Sequence, residues 1–405
     1  MIATLAPDEA GVFYPYFSTC ADARFVILLA LLYWRYEYMG RLAEHAAKLT
    51  LIVFLMLTTS YVACASTPKQ RAEERNRELQ RQYEAQRYKQ YKYQRTHPME
   101  RRGTVPPGLS QILTRTFDYH SNVPSMIDVK LLTDGCDQRD CVTAIDLPHF
   151  DSVVNTSYLQ EGDLLIVVEY QGEIRAYPHT VLNIHEVVND RFGDTPVLVS
   201  YCPLTGAGTA FYAQVNGLPA EFGVSGMLYN SSRVLYDRSN NNLWDQISGE
   251  ALVGKFAGQV LTPLPVRTLT WSQLKQYYPK ARVLQVEVNQ MAKLRDVTNQ
   301  FANYRQSERI YFPVANKDRT QHPKMMVYGI YHNGQSLAIS ESYLQQKPVV
   351  ERDFNGDMVR IQRNRDGSIQ AILKQTKQPL AVTQLYWFAW YNTHTETDLL
   401  IPRSP

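Results

Sequence analysis

Cysteine is scarce in this chain, with five residues in 405. So few thiols exclude a disulfide-dense scaffold, in which cross-links stand in for a core. Long apolar runs are missing too. Phe25–Trp34 and Leu49–Ala63 both fall short of the ~20 residues that cross a bilayer as a helix. Nor is there a strong excess of either charge. The net charge is +3, and between Lys69 and Arg102 eleven Lys/Arg meet five Asp/Glu. The basic surplus belongs to that one segment, and a near-neutral body carries no electrostatic signature of nucleic-acid binding. Finally, there is no nucleotide loop. Gly223–Gly226 (GVSG) lacks both a Lys-Ser/Thr ending and a G-x-G-x-x-G frame, and reads as a close-packed strand turn.

What is present is ordinary globular composition with a tyrosine excess. Apolar residues make up 44% and charged residues 20%, and there are 27 tyrosines, many in strand-like runs. That length and pattern predict a β-rich α+β body with one large core or two modest ones. From Met39 the chain reads MGRLAEHAAKLTLIVFLMLTTSYVACAS, a basic start, a short apolar run and small residues before Cys64. This has the form of a signal peptide over 39–63, and Val62-Ala63-Cys64 resembles a bacterial lipobox that would be cleaved before a lipidated Cys64. Tyr61 departs from the usual Leu. Ordinary signal-peptidase cleavage and an uncleaved anchor are the competing outcomes. Ala65, which is not aspartate, points to outer-membrane sorting within the cell envelope. Residues 1–38 fit a start placed too far upstream.

Residues 64–108 are predicted to be a basic polar tether, because the stretch from Ser66 to Arg102 has almost no aliphatic side chains to bury. The body should then occupy 109–405. Leu164–Glu169, a Gln171-Gly172 turn and Glu173–Tyr177 predict a hairpin. Thr180–Asn189 reads as a short helix or turn, Pro196–Tyr201 as a buried strand delivering Cys202, and Phe211–Val224 as a hairpin turning at Asn216-Gly217. Trp271–Tyr278 reads as a helix. A faint repeat joins LLIVVEYQGEIRAYP to MMVYGIYHNGQSLAIS, aligning Gly172 with Gly334 and Ala176 with Ala338. HEVVNDRFGDTPVLV is echoed by KPVVERDFNGDMVRI, where His185 falls on Lys347 and Asp190 on Arg352. We therefore expect a duplicated β unit, with one copy near 146–280 and the other near 310–405.

The residues able to do chemistry crowd between Tyr177 and Gln246. His185 and Cys202 sit in neighbouring elements. If their side chains meet, imidazole would favour a thiolate, as a nucleophile or as a ligand for copper or zinc. Asp190 and Asp237 are the acids that would complete such a site, with His179 a further ligand. Tyr177, Arg238, Trp244 and Gln246 would line the pocket, Arg238 gripping an anion. The opposing account makes Cys202 a small buried hydrophobe, His185 a turn residue, Arg238 a strand-end ion pair and Trp244 core.

The words YPHTVLNIHEVVND, YCPLTG, FGVSGMLYNS, LYDRSNNNLWDQ and FAWYNTHTET together resemble a bacterial and archaeal family catalogued as domain of unknown function 3179. The resemblance runs over about 146–398. It implies an exported or surface-associated β-rich domain and no established reaction. That family usually reads Tyr-Cys-Pro-Leu-Cys where this chain has Tyr201-Cys202-Pro203-Leu204-Thr205, so a resolving thiol and a metal ligand are lost. With Cys64 lipidated, Cys136 and Cys141 are close enough in sequence to close a disulfide in an oxidising compartment, leaving Cys202 odd. Two functions stay open: a metal- or thiol-dependent envelope enzyme, and a non-catalytic envelope binding or assembly module.

Overall fold

The structure is a computed structural model and describes residues 109–286 and 290–402. The expected signal segment and polar tether, with Cys64, lie outside the described residues. None of the described helices is long and apolar enough to cross a membrane.

Two short strands, β1 (Leu132–Asp134) and β2 (Phe150–Ser152), precede the first repeat. The repeat opens with the hairpin β3 (Leu164–Tyr170) and β4 (Glu173–Pro178). Its apolar run is buried on both faces, and its turn needs left-handed backbone at Gln171 (φ 52°) and Gly172 (φ 83°). A helix, His179–His185, leads into β5 (Val187–Phe192), β6 (Thr195–Cys202) and β7 (Ala207–Tyr212). An inserted segment follows: β8 (Gln214–Val215), β9 (Leu218–Pro219), β10 (Phe222–Tyr229), β11 (Ser232–Asp237), β12 (Leu243–Asp245) and β13 (Ala251–Val253). The repeat then resumes with β14 (Pro263–Leu264), β15 (Val266–Thr270), the helix Trp271–Tyr277 and β16 (Arg282–Leu284).

After a connecting helix, Met291–Gln306, the same order returns without the insertion. It consists of β17 (Met326–His332), β18 (Gln335–Ser340), the helix Glu341–Gln346, β19 (Val349–Phe354), β20 (Asp357–Arg363), β21 (Ile369–Leu373), β22 (Pro379–Leu380), β23 (Thr383–Tyr386), the helix Trp387–Thr393 and β24 (Asp398–Leu400). The sheets correspond strand for strand. The order β14-β7-β6-β5 is matched by β22-β21-β20-β19, and β15-β3-β4-β16 by β23-β17-β18-β24. In both copies the last strand joins parallel to the second hairpin strand. Gly334 repeats the left-handed turn of Gly172 at φ 82°, and Ala176 and Ala338 are both fully buried. The body is β-rich α+β and internally duplicated.

The inserted strands form a separate sheet, β1-β10-β11-β12-β13. Its GVSG word is explained by what lies on it. A Cβ at Gly223 would sit 2.5 Å from Asp140, and one at Gly226 (φ 84°) would sit 2.5 Å from the Gln138 carbonyl. Those residues belong to the loop closed by the Cys136–Cys141 disulfide, so the glycines let that loop reach the strand.

Two expectations are corrected, and one element is new. The helix carrying His185 stops there, because Glu186 turns left-handed (φ 57°) and the chain becomes β5, so Asp190 is a strand residue. The turn at Asn216-Gly217 joins only the short β8 and β9, and the long strand starts afresh at Phe222. The connecting helix was not foreseen: its sequence is mostly polar, with only Leu294 and Tyr304 buried.

Candidate functional site

Strand β6 carries Cys202 into the interior. The residue is 0% exposed and packs among Leu204, Ala207, Leu228, Val327 and Tyr386. The turn beyond it is closed by Thr205, fully buried, whose N–H donates to the Cys202 carbonyl at 3.2 Å. Burial pushes the Cys202 thiol up; the Glu186 carboxylate adds to this, and Arg233 opposes it. His185 does not join it. Its Nδ1 is 2.8 Å from the Thr143 carbonyl, beyond the disulfide loop. The Cys202–His185 dyad expected from the sequence is not formed, and the correction has a simple cause. Consecutive residues after a helix end diverge, so Glu186 turns inward while His185 faces the Thr143 segment.

The cluster that does form at Cys202 is Glu186 with Arg233. Both are over nine-tenths buried, and they are paired through two guanidinium nitrogens, one at 2.7 Å. Arg233 sits in β11, every residue of which is buried, so the pair locks the insertion onto the first repeat. A glutamate in left-handed backbone costs about 1 kcal/mol or more. The carboxylate's reach to Arg233 explains why it stands where glycine would be easiest. Arg233 was missed, although a lone cation inside the apolar run of β11 is the sequence signal for a buried ion pair.

The remaining expected site residues lie in separate places. Asp190 accepts from Arg175 at 2.6 Å and from Tyr177 at 2.5 Å, and Arg175 lies against the rings of Phe150 and Phe192. Burial, then the Asp190 charge, raises the Tyr177 phenol well above its ordinary range. Asp237, 0% exposed, accepts from Asn240 N–H (2.7 Å), Asn242 Nδ2 (2.7 Å) and Trp244 Nε1 (3.0 Å), and so ties the turn between β11 and β12. Trp244 packs edge-on to Phe222 in the core. Gln246 donates to Ser200 Oγ (3.1 Å), Ala207 O (3.2 Å) and Thr209 Oγ1 (3.0 Å), fastening the insertion to β6 and β7. Arg238 pairs at the surface with Asp146 (2.9 Å) and Glu221 (3.2 Å). These residues do not converge on one pocket.

Among the described residues no three His, Cys, Asp or Glu side chains come together as a bound metal would require. Cys202 and His185 face different neighbours. A concavity lies elsewhere, between the repeats. It is a groove of about 400 Å³ walled by β14 and β15 of the first copy and by β21 to β23 of the second, with Gly208–Phe211 of β7 lining it as well. Its lining is mixed, with Phe211, Ile247, Leu264, Val266, Ile369 and Leu380 apolar and Arg267, Asn364, Ser368 and Gln370 polar.

No curated protein and no solved structure matches the chain. A family model described as "Protein of unknown function (DUF3179)" matches residues 139–379, more than half of the chain, including all of the first repeat and the insertion. The chain belongs to that family.

Proposed function

We propose that the protein is a lipid-anchored cell-envelope protein whose duplicated body is a non-catalytic binding module. In this reading the mature chain begins at lipidated Cys64, faces the periplasm or the exterior from the outer membrane, and holds its ligand in the groove between the two repeats. The observation that carries the binding reading is the burial of Cys202. A thiol with no exposed surface, pushed toward its protonated form by burial and by Glu186, is neither an accessible nucleophile nor a ready metal ligand. The inter-repeat groove supports the same reading, since ligand sites favour junctions between structural units. The anchor is supported by the short apolar run ending in Val62-Ala63-Cys64.

Two measurements test this. Mass spectrometry of the mature N-terminus should find a lipid-modified Cys64; an unmodified Cys64 would remove the anchor. Native protein treated with N-ethylmaleimide near neutral pH should leave Cys202 unlabelled until denaturant is added. Rapid labelling of the native thiol would restore the enzyme reading.

A further inference from the structure

The groove between the repeats is walled by corresponding links of the two copies. The run 263–267 (PLPVR) joins β14 to β15, and the run 379–383 (PLAVT) joins β22 to β23. Both line the groove along their whole length. Successive side chains of an extended chain point to opposite faces, so five consecutive lining residues present a backbone edge and not a face. All four strands are the outermost of their sheets.

Hydrogen bonds at the strand ends reveal which edge groups are open. The Trp271 N–H continues the β15–β3 ladder to the Asp163 carbonyl at 2.8 Å, whereas the Thr270 N–H turns away to Gln273 Oε1 at 2.8 Å. Alternation along an antiparallel strand then turns the N–H and C=O of Thr268 and Val266 away from β3 as well. On β23 the Tyr386 N–H leaves β17 for the Thr205 carbonyl at 2.7 Å, so Gln384 also faces outward. Val266, Thr268 and Gln384 line one cleft, which shares Gly208, Val266, Arg267, Ile369 and Val382 with the groove. Among the described residues these outward groups have no main-chain partner. Open edge groups of this kind are a template for another extended chain.

We propose that the groove receives an extended peptide segment, which adds to β15 as a further strand by bonding the main chain of Val266 and Thr268, with Gln384 opposite. This rests on the groove reading above and names the class of its ligand. Backbone bonds supply the affinity, and Phe211, Leu264 and Leu380 offer apolar contacts to alternate side chains. Pro263 and Pro265 have no N–H to give, so pairing is confined to the stretch beyond them, which limits the register. The cleft lies between the repeats, so a lone segment enters where the sheet edge of a second folded copy does not. Among the described lining residues Arg267 alone is charged, and it is paired with Glu169 at 2.9 Å. Recognition therefore runs through backbone and apolar side chains, not through charge.

The test uses the full chain in detergent micelles and the blocked peptide acetyl-Thr-Val-Thr-Val-Thr-Val-amide, titrated by calorimetry. The peptide should bind saturably. An analogue with esters in place of the amides keeps the side chains but loses the N–H donors, and should bind about tenfold more weakly. Amide exchange over 264–270 should slow when the peptide is added. Thr268→Pro, folded with an unchanged thermal midpoint, removes one outward donor at an edge and should weaken the peptide by about threefold or more. Equal binding of the ester analogue, no slowing of exchange over 264–270, or equal binding by folded Thr268→Pro overturns the proposal. Cyclohexanol, a non-peptide probe, separates this from the groove reading. If it binds the native protein but not Ala381→Trp, which fills the groove, while the peptide does not bind, the peptide assignment falls and the groove reading stands. Binding of neither removes both.

Discussion

The two repeats share a strand order but not a surface. Strand β5 of the first copy is buried at every position but Arg191, whereas β19, its counterpart, exposes Val349, Glu351, Arg352 and Asp353. The difference is the insertion after β7 together with the segment that precedes the first repeat. Val188 bridges to Ile145, and Asn189 makes a reciprocal pair of 2.8 Å bonds with the Phe222 backbone. Glu186 and Gln246 add the ion pair and the amide clip already described. Most of the chemically capable residues that crowd the first repeat are thus fasteners between it and what covers it. Among the described residues the second repeat has no such cover, and it places Lys347 and Arg352 where the first has His185 and Asp190.

The sharpest way to break this comparison is to unpin the cover. Arg233→Met leaves Glu186 as an uncompensated buried charge and should cost about 3–5 kcal/mol of stability, read from urea unfolding of the folded protein. A cost below about 1 kcal/mol would mean the pair contributes little and the insertion is held by packing alone.

Each repeat also has a half-buried histidine with its Nε2 turned away from solvent, His179 in the first and His394 in the second, and acid should destabilise both. Burial, helped by Arg305, holds His179 down at about 3, and burial holds His394, stacked 3.9 Å from Trp390, at about 4. Both values lie below the ordinary 6.5. Between pH 6.5 and these values the unfolded chain accepts protons that the folded chain refuses. Stability is therefore full above about pH 6.5 and declines as pH falls, by about 3–5 kcal/mol per histidine across the window. His394→Phe should flatten part of the pH dependence of the unfolding midpoint. An unchanged slope would mean that His394 takes up its proton without leaving the fold.

A smaller effect is expected from the disulfide. Opening it through Cys136→Ser and Cys141→Ser releases a short loop, worth about 2 kcal/mol on chain-entropy grounds. Hydrogen exchange should quicken along β10, where Gly135, Cys136 and Asp140 bond to Gly226 and Val224 carbonyls, while β17 to β20 remain protected. Equal loosening of both repeats would show that the cover and the second repeat share one cooperative unit.

How much of this was legible in the sequence depends on the range of the forces involved. The hairpins β3–β4 and β17–β18 could be read because apolar runs and Gly-containing turns are local signals, and Gly172 and Gly334 mark the same turn in both copies. The helix Trp271–Tyr277 was legible for the same reason, with Thr270 and Gln273 forming its capping box. The site was not legible. LYDRSNNNLWDQ looked like a catalytic word because Asp237, Asn242 and Trp244 lie close in sequence, but their closeness serves a turn and a core. The pairing of Glu186 with Arg233 spans 47 residues and depends on how the insertion docks, which periodicity does not encode. The meeting of Tyr304 and Tyr386 at the turn after Cys202 depends on distant segments packing together, so no single stretch of sequence displays it.

The smallest effect should come from the second repeat's exposed strand. Among the described residues β19 is an edge strand with no cover, and its charged residues Glu351, Arg352 and Asp353 are what discourage another chain from pairing with it. Lys374 and Arg360 pair with Glu351 across the surface, where such contacts add little stability. Arg352→Val should therefore leave the unfolding free energy within about 0.5 kcal/mol of the native protein. It should instead raise self-association, measured by light scattering against concentration, because the edge gains a β-branched residue and loses a charge. A large loss of stability would mean that Arg352 is a fastener like its counterpart Asp190, and the contrast between a covered and an uncovered repeat would have to be given up at that position.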